Sequence, residues 1–508
     1  MTESNVSILY SRESTVYTKL FGQNEIKVVS DFNSLNDKMY VTFGVEMKGI
    51  PIYDIKVIEK IILYEKSKTL ENISQRYFQK RPPTLNTPKQ NLNFLERIFK
   101  AQRKEIKRLG LSQAVNFEVR MSKYLAYFNH HAVLVDKGLL HKDISSMEMK
   151  PCNLSSKSQV VAYLKSKGFD ANIKNWYLKS LNDAELDNYI HNRSIRSKIG
   201  HLTLILDRDA ISINHAQYGS VTGRMTTANP NAIGLKKYIK GLSGIDYVAQ
   251  EAMIYKHYFE PKALDDFNGG DLNGFITANL FGIKGDYNQV KKSHPSKRAF
   301  VKLCILQCMN GQDRKGFRRK FGSKLLPLFE KFLAIMEFDS NRKLLLSYAT
   351  GNGKYRACDW IGKTISDRYS IEHSYLKARY KKALEEYKDL CIARGIKFNH
   401  PDKGFVRDYG WTSKDGHAES TYRENIRNMK SVVMNRLVQT TGAVITKRAV
   451  MRCIDYIVKN DIDNSPVMVV YDDIKFKNNN SLEELGLEMK IAYKEVMKKD
   501  IDIDIRWA

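Results

Sequence analysis

The segment VMVVYDDIKFK, Val467 to Lys477, constrains the fold of this chain more than any other. Its two β-rich arms enclose Tyr471, Asp472 and Asp473, a pattern that predicts a hairpin with adjacent carboxylates at its bend. Another acid in an apolar setting lies far upstream. In GIDYVAQEAMIYKHYF, Gly244 to Phe259, Asp246 stands at the end of a predicted strand, and helical spacing follows through Met253, Ile254 and Tyr258. Taken singly, each acid reads as a turn former, because Asp side chains accept hydrogen bonds from turn backbone. Taken together they allow a sharper chemistry. Carboxylates arriving from separated strands can hold two divalent ions, one activating an attacking oxygen and one stabilising a leaving oxygen.

The rest of the composition agrees with a partner rich in phosphate. Lys and Arg number 83 against 56 Asp and Glu, a formal net charge of +27, which points to a polyanion. With 27% charged and 43% hydrophobic residues, this basicity belongs to a folded chain rather than to a disordered tail. The 508 residues suffice for about three to five packed units. The surplus is uneven. Lys291 to Lys324 carries eleven cations and one acid, Asp313, whereas Asp461 to Ala508 carries eleven acids and seven cations. Within the basic stretch Arg298 and Lys302 are four apart, so a helix projects them from one face, with Leu306 and Asn310 extending the row. Two cations along one line suit a triphosphate.

No run approaches the roughly 18 apolar residues of a membrane span, and MTESNVSILYSREST lacks the basic start and apolar core of a signal peptide. A cytoplasmic location is expected. The six cysteines are scattered and none forms a C-x-x-C pair, so they read as reduced thiols; Cys304 and Cys308, one turn apart, lack the further ligands a zinc site needs.

Along the chain, short β-like runs (Met39 to Gly44, Ile50 to Tyr53) and a helical segment (Ile55 to Tyr64) precede the proline-bearing connector Lys80 to Lys89. A helical pattern runs from Asn91 to Tyr127, and further helices are predicted at Ser158 to Gly168, after the cap-like NLSSKS, and at Asn182 to Ile199.

Read in order, the segments resemble the polymerase region of the family A DNA polymerases, the bacterial DNA polymerase I family. FEVRMSKYLAYFNHHAVLVDKGLL (Phe117 to Leu140) and CNLSSKSQVVAYLKSKGF (Cys152 to Phe169) are similar to that family's early helical elements. TGRMTTANPN (Thr222 to Asn231) resembles its Thr-Gly-Arg signature, and Asp246, Tyr247 and Glu251 match motif A. GGDLNGFITANLFG resembles the Asp-Ile-His segment, and KRAFVKLCILQCMNG the fingers helix of motif B. GFVRDYGW, NRLVQTTGAVITKRA and motif C at Tyr471 to Asp473 complete the series.

The resemblance implies an α+β right-hand architecture, with an antiparallel palm sheet and helical fingers and thumb. The expected domains are a small truncated exonuclease-like α/β domain at 1–114, thumb at 115–213, palm at 214–286, fingers at 287–399 and the second palm part at 400–508. It further implies a monomeric template-directed DNA polymerase working on primer-template DNA with deoxynucleoside triphosphates, alongside replication accessory proteins. Two Mg2+ ions, replaceable by Mn2+, would sit on Asp246 and Asp472, with Asp473 as the neighbouring acid. Arg298 and Lys302 would hold the β- and γ-phosphates, and Lys302 would protonate the leaving group. Tyr247, Leu306 and Asn310 would complete the nucleotide site, and Glu251 would exclude a 2′-hydroxyl. Thr222, Arg224, Asn231, Asn435, Gln439 and Tyr471 would face DNA, Arg224 and the two amides from the minor groove, whose acceptors are similarly placed in every correct pair.

Three departures matter. Leu306 and Asn310 replace the aromatic residues of motif B, so relaxed fidelity or sugar selectivity is expected. At the front, Ile50 to Phe78 is similar to the later half of a 3′–5′ exonuclease domain, yet only Asp31 with Asn33 stands near its first acidic motif, so an inactive domain is expected. The chain is too short for a separate 5′ nuclease, which suits a phage, a mobile element or a specialised repair role. The rival readings are a single-subunit RNA polymerase, opposed by Glu251 and the TGR segment, and an idle nucleic-acid-binding scaffold, opposed by Asp246, Asp472, Arg298 and Lys302.

Overall fold

The computed structural model describes residues 6–12, 15–29, 39–42, 51–63, 69–78, 87–109, 111–129, 131–171, 173, 175, 178, 181–220, 222–227, 231–309, 311–350, 388–389, 392, 413–498 and 503–507. Asp31, Asn33, Asn310 and the GFVRDYGW segment lie outside them.

The N-terminal strands β1 (Val6–Arg12), β2 (Thr15–Leu20), β3 (Lys27–Val29), β4 (Met39–Thr42) and β5 (Ile52–Asp54) form one sheet in the order β3-β2-β1-β4-β5. β1, β4 and β5 run parallel, and β2 runs antiparallel to its neighbours β1 and β3. Helices α1 (Ile55–Leu63), α2 (Leu70–Phe78), α3 (Pro88–Leu109) and α4 (Ser112–Asn129) follow. Leu92, Leu95, Ile98 and Phe99 of α3 recur at helical spacing and bury against Val6, Ile8 and Val41 of the sheet. The helical pattern expected to continue from Asn91 to Tyr127 is two helices. Leu111 N–H donates to Ile106 O at 3.0 Å, closing the first helix one residue after Gly110 in the sequence.

The next part contains β6 (Ala132–Val135), α5 (Lys137–Ser145), α6 (Lys157–Ser166), α7 (Ala184–Leu206) and β7 (Ala210–Ser212). The helices start where the sequence caps them. Asp136 and Asp183 accept from backbone N–H groups of Leu139 and Leu186, both at 3.0 Å, and Ser156 with Gln159 forms a reciprocal capping box at α6. A short ribbon of β8 (His215–Ala216) and β9 (Thr226–Thr227) then frames the loop bearing Thr222 and Arg224. β10 (Ile239–Lys240) pairs with β6.

A separate four-stranded antiparallel sheet carries the acids. β11 (Ser243–Tyr247) lies between β13 (Asp473–Phe476) and β14 (Ile505–Trp507), and β12 (Pro466–Val470) forms the far edge beside β13. β12 is buried on both faces, with Val469 in the large core and Met468 and Val470 in a smaller core beside Leu202 and Ile205. Around this sheet pack α8 (Gln250–Phe259), α9 (Leu272–Phe281), α10 (Pro295–Met309), α11 (Arg314–Phe321), α12 (Leu326–Ile335), α13 (Phe338–Thr350), α14 (Ser413–Lys459) and α15 (Leu482–Met497). No described helix is long and apolar enough to cross a membrane.

Candidate active site

Two sharp turns place the acids. The hairpin between β12 and β13 bends at Tyr471 and Asp472, and β11 breaks into α8 through Val248 and Ala249. Tyr471 (φ 61°) and Ala249 (φ 54°) both adopt the left-handed conformation that non-glycine residues avoid. Such strain persists only where surrounding structure imposes it, and it clusters at functional sites. In the antiparallel pair Asp246 lies opposite Asp473, which brings the neighbouring Asp472 close to Asp246.

These two carboxylates face a cavity of about 520 Å³. Of the residues expected from the sequence, Arg224, Asp246, Tyr247, Glu251, Arg298, Lys302, Leu306, Gln439, Tyr471 and Asp472 line it. α10 supplies one wall, because Val301, Cys304, Ile305 and Cys308 bury one side of that helix and leave Lys302 and Leu306 exposed on the other. Burial pushes the thiols of Cys304 (to about 12) and Cys308 upward, which suits core packing.

The electrostatics of the acids are unbalanced. Burial first, then the charge of Asp246, raises the Asp472 carboxyl from its ordinary value to about 7. Burial also raises Asp246, with Asp473 adding to the effect and Arg506 opposing it. Asp246 is paired with Arg506, whereas Asp472 has no ion-pair partner among the described residues. Most cations of the cavity are already engaged. Arg298 makes a bidentate pair with Asp271 at 2.5 and 2.9 Å, and Arg224 pairs with Glu251 while its guanidinium lies 5.2 Å from the Tyr471 ring. Lys302 is exposed and has no ion-pair partner among the described residues.

Other expected residues sit elsewhere. Asp473 is buried, outside the cavity wall, and held by Lys236 and by Lys475 at 3.4 Å. Lys475 reaches it across Gly244, where a side chain would collide with the lysine. Tyr247, expected at the nucleotide, borders the cavity, but its side chain is buried. Alternation along β11 turns it away from the Asp246 face, and its hydroxyl donates to Met489 O at 2.6 Å in the core. Thr222 is buried against Ser220 at 3.0 Å, Asn231 O lies 3.2 Å from His201 Nε2, and Asn435 is half-buried one turn before Gln439.

Several groups at the site were not legible in advance. Gln250 Nε2 and Asn273 Oδ1 are buried in the cavity wall without hydrogen-bond partners among the described residues. Asn273 stands where the resembling segment has its His, the one signal that pointed to it. Asp271 and Arg506 are identified only by their pairings. A two-carboxylate donor set fits a hard divalent cation such as Mg2+, which takes one or two protein carboxylates and completes its shell with water and phosphate oxygens. The raised carboxyl of Asp472 is what such a cation would offset.

No protein-family model matches this chain, and no curated protein matches it. Among solved structures, its fold is similar to the POL domain of Pol1 from M. smegmatis, solved in complex with DNA primer-template and dNTP. The TM-score is 0.66 at 15% sequence identity, over 99% of this chain and 94% of that one. The chain therefore has the fold of a bacterial DNA polymerase I polymerase domain along nearly its whole length.

Proposed function

We propose that this protein is a template-directed DNA polymerase that adds deoxynucleotides to a primer 3′ end. The observation that carries the reading is the convergence of Asp246, near the end of β11, and Asp472, at the hairpin bend, opposite the cationic face of α10 across one cavity. In this reading 115–213 is the thumb, 214–286 and 400–508 the palm, and 287–399 the fingers. Two magnesium ions on Asp246 and Asp472 would supply acidity to the primer hydroxyl and offset the charge that develops on the phosphates.

The remaining steps belong to the side chains. Lys302, exposed and without an ion-pair partner among the described residues, meets the β- and γ-phosphates and gives a proton to departing pyrophosphate. Arg298, locked by Asp271, holds a fixed guanidinium toward the same phosphates. Glu251, tethered by Arg224, walls the sugar at C2′, and Leu306 offers an apolar face to sugar or base. Arg224 and Gln439 read the minor groove. Because the sequence offers only Asp31 with Asn33 near the first acidic motif, the N-terminal region is proposed to lack proofreading.

Primer extension on a DNA template with Mg2+ tests the reading. Asp246→Asn and Asp472→Asn are each expected to lower extension by about 10³-fold or more, as removal of a metal ligand would. Retained extension in either variant, or primer-independent RNA synthesis, would overturn it. Metal-dependent trimming of a mismatched primer that Asp31→Ala abolishes would refute the missing proofreading.

A further inference from the structure

The C-terminal strand places a cation where the metal reading needs an open carboxylate. Arg506 on β14 lies opposite Asp246 on β11, so the two side chains share the cavity face, and the guanidinium Nη2 donates to Asp246 Oδ2. A guanidinium held on this oxygen competes with a metal ion for the carboxylate charge. Asp246 is 16% exposed and Arg506 54% exposed, so the arginine is the partner with room to turn toward the cavity.

The backbone beneath it is fixed. Val248 N–H donates to Asp504 O at 2.8 Å, and Gly270 N–H donates to Asp504 Oδ2 at 2.6 Å. Trp507 packs so closely on α15 that a Cβ at Gly486 would lie 2.6 Å from its ring. Only the side chain can rearrange, and it lines the same cavity as Arg298 and Lys302.

We propose that Arg506 exchanges partners during the cycle. It neutralises Asp246 in the empty site, yields that carboxylate to the metal ion, and then binds the phosphates of the incoming nucleotide. Metal and Arg506 compete for the charge of Asp246, and a displaced guanidinium suits phosphate geometry better than any other side chain. Arg506 is thus both a counter-ion that weakens metal loading in the absence of nucleotide and a phosphate ligand in its presence. This inference rests on the proposed polymerase reading, in which Asp246 holds metal.

The test uses the full chain and Mn2+ as the probe, with bound ion counted by electron paramagnetic resonance in the absence of nucleotide. Arg506→Gln is expected to bind Mn2+ about fivefold more tightly than the unaltered protein, the factor a half-exposed ion pair can impose. Arg506→Lys, which keeps the charge, should bind it as the unaltered protein does. At saturating metal, Arg506→Gln should raise the KM for deoxynucleoside triphosphate about fivefold with kcat little changed. Unchanged or weaker Mn2+ binding in Arg506→Gln overturns the exchange, as does a Lys variant that behaves like Gln, which would assign the effect to strand packing. If Asp246→Asn and Asp472→Asn both bind Mn2+ normally, the metal reading itself fails, whatever Arg506 does.

Discussion

The buried acids of the N-terminal unit and the pair Asp246 and Asp472 are treated in opposite ways. In the N-terminal unit, Glu59 accepts from Gln102 Nε2 at 2.8 Å and from Tyr77 Oη at 3.0 Å. Glu96 lies between Lys19 at 2.5 Å and Lys100 at 2.8 Å, so although burial pushes its carboxyl upward, these partners hold it below the ordinary value. In the sheet that carries Asp246 and Asp472, burial and mutual repulsion win and both carboxyls rise. In the proposed reading, the contrast separates polar groups that complete a structure from polar groups that a ligand would complete. Burial without compensation is unfavourable, so it persists where another requirement maintains it.

The strongest way to probe this contrast is to remove compensation where it exists. Lys447 on α14 and Glu118 on α4 are each 1% exposed and pair at 2.8 Å; Gln217 also donates to Glu118 at 2.8 Å. Lys447→Met leaves a buried carboxylate without its cation and should lower unfolding free energy by about 3–5 kcal/mol in urea titrations. A loss below about 1 kcal/mol would show the pair to be idle.

His215 sharpens the comparison from the other side. It is 2% exposed, its Nε2 accepts from Val469 N–H of β12 at 3.2 Å, and burial lowers its pKa to about 4. The unfolded chain therefore takes up a proton on acidification before the folded one does. Stability from this group is full above about pH 6.5 and declines as pH falls toward 4, by about 2 kcal/mol between pH 7.5 and 5. His215→Gln should remove that part of the pH slope, and an unaltered slope contradicts it.

Asp472 has the reverse sign. Its folded pKa is raised, so the cost of its charge grows as pH climbs from about 4 to 7 and is complete above that. In metal-free buffer at pH 8, Asp472→Asn should be more stable than the unaltered protein by roughly 1–3 kcal/mol, with the gap closing near pH 4. Equal melting temperatures at pH 8 would break the contrast between the two groups of acids. The smallest expected effect is in the compensated unit. Glu96→Gln should cost about 1 kcal/mol in stability and leave primer extension within about twofold.

Local chemistry was legible wherever it is written in adjacent residues. The hairpin at Val467 to Lys477, the strand end at Asp246, the cap in NLSSKS and the row of Arg298, Lys302 and Leu306 on α10 each follow from spacing within a few residues. Pairings across the chain were not legible. Nothing near Asp271 announces Arg298, and nothing near Asp473 announces Lys236, because ion pairs depend on which elements pack together. Tyr247 shows the same limit. Its place in motif A does not tell that the pleat of β11 turns its ring into the core while the residue borders the cavity.

The sequence by itself determined which residues bear charge, where strands and helices begin, and that acids sit at two turns, since these depend on local backbone preference and periodicity. Only the tertiary structure decided which of those charges are neutralised. Arg506 meets Asp246 because a short edge strand from the end of the chain adds to β11 in one register, and a shift by one residue would turn the guanidinium to the opposite face. Asp472 is left uncompensated for the complementary reason. The bend of the hairpin buries it beside Asp246 and, among the described residues, brings it no ion-pair partner, which is a consequence of packing that no local stretch of sequence contains.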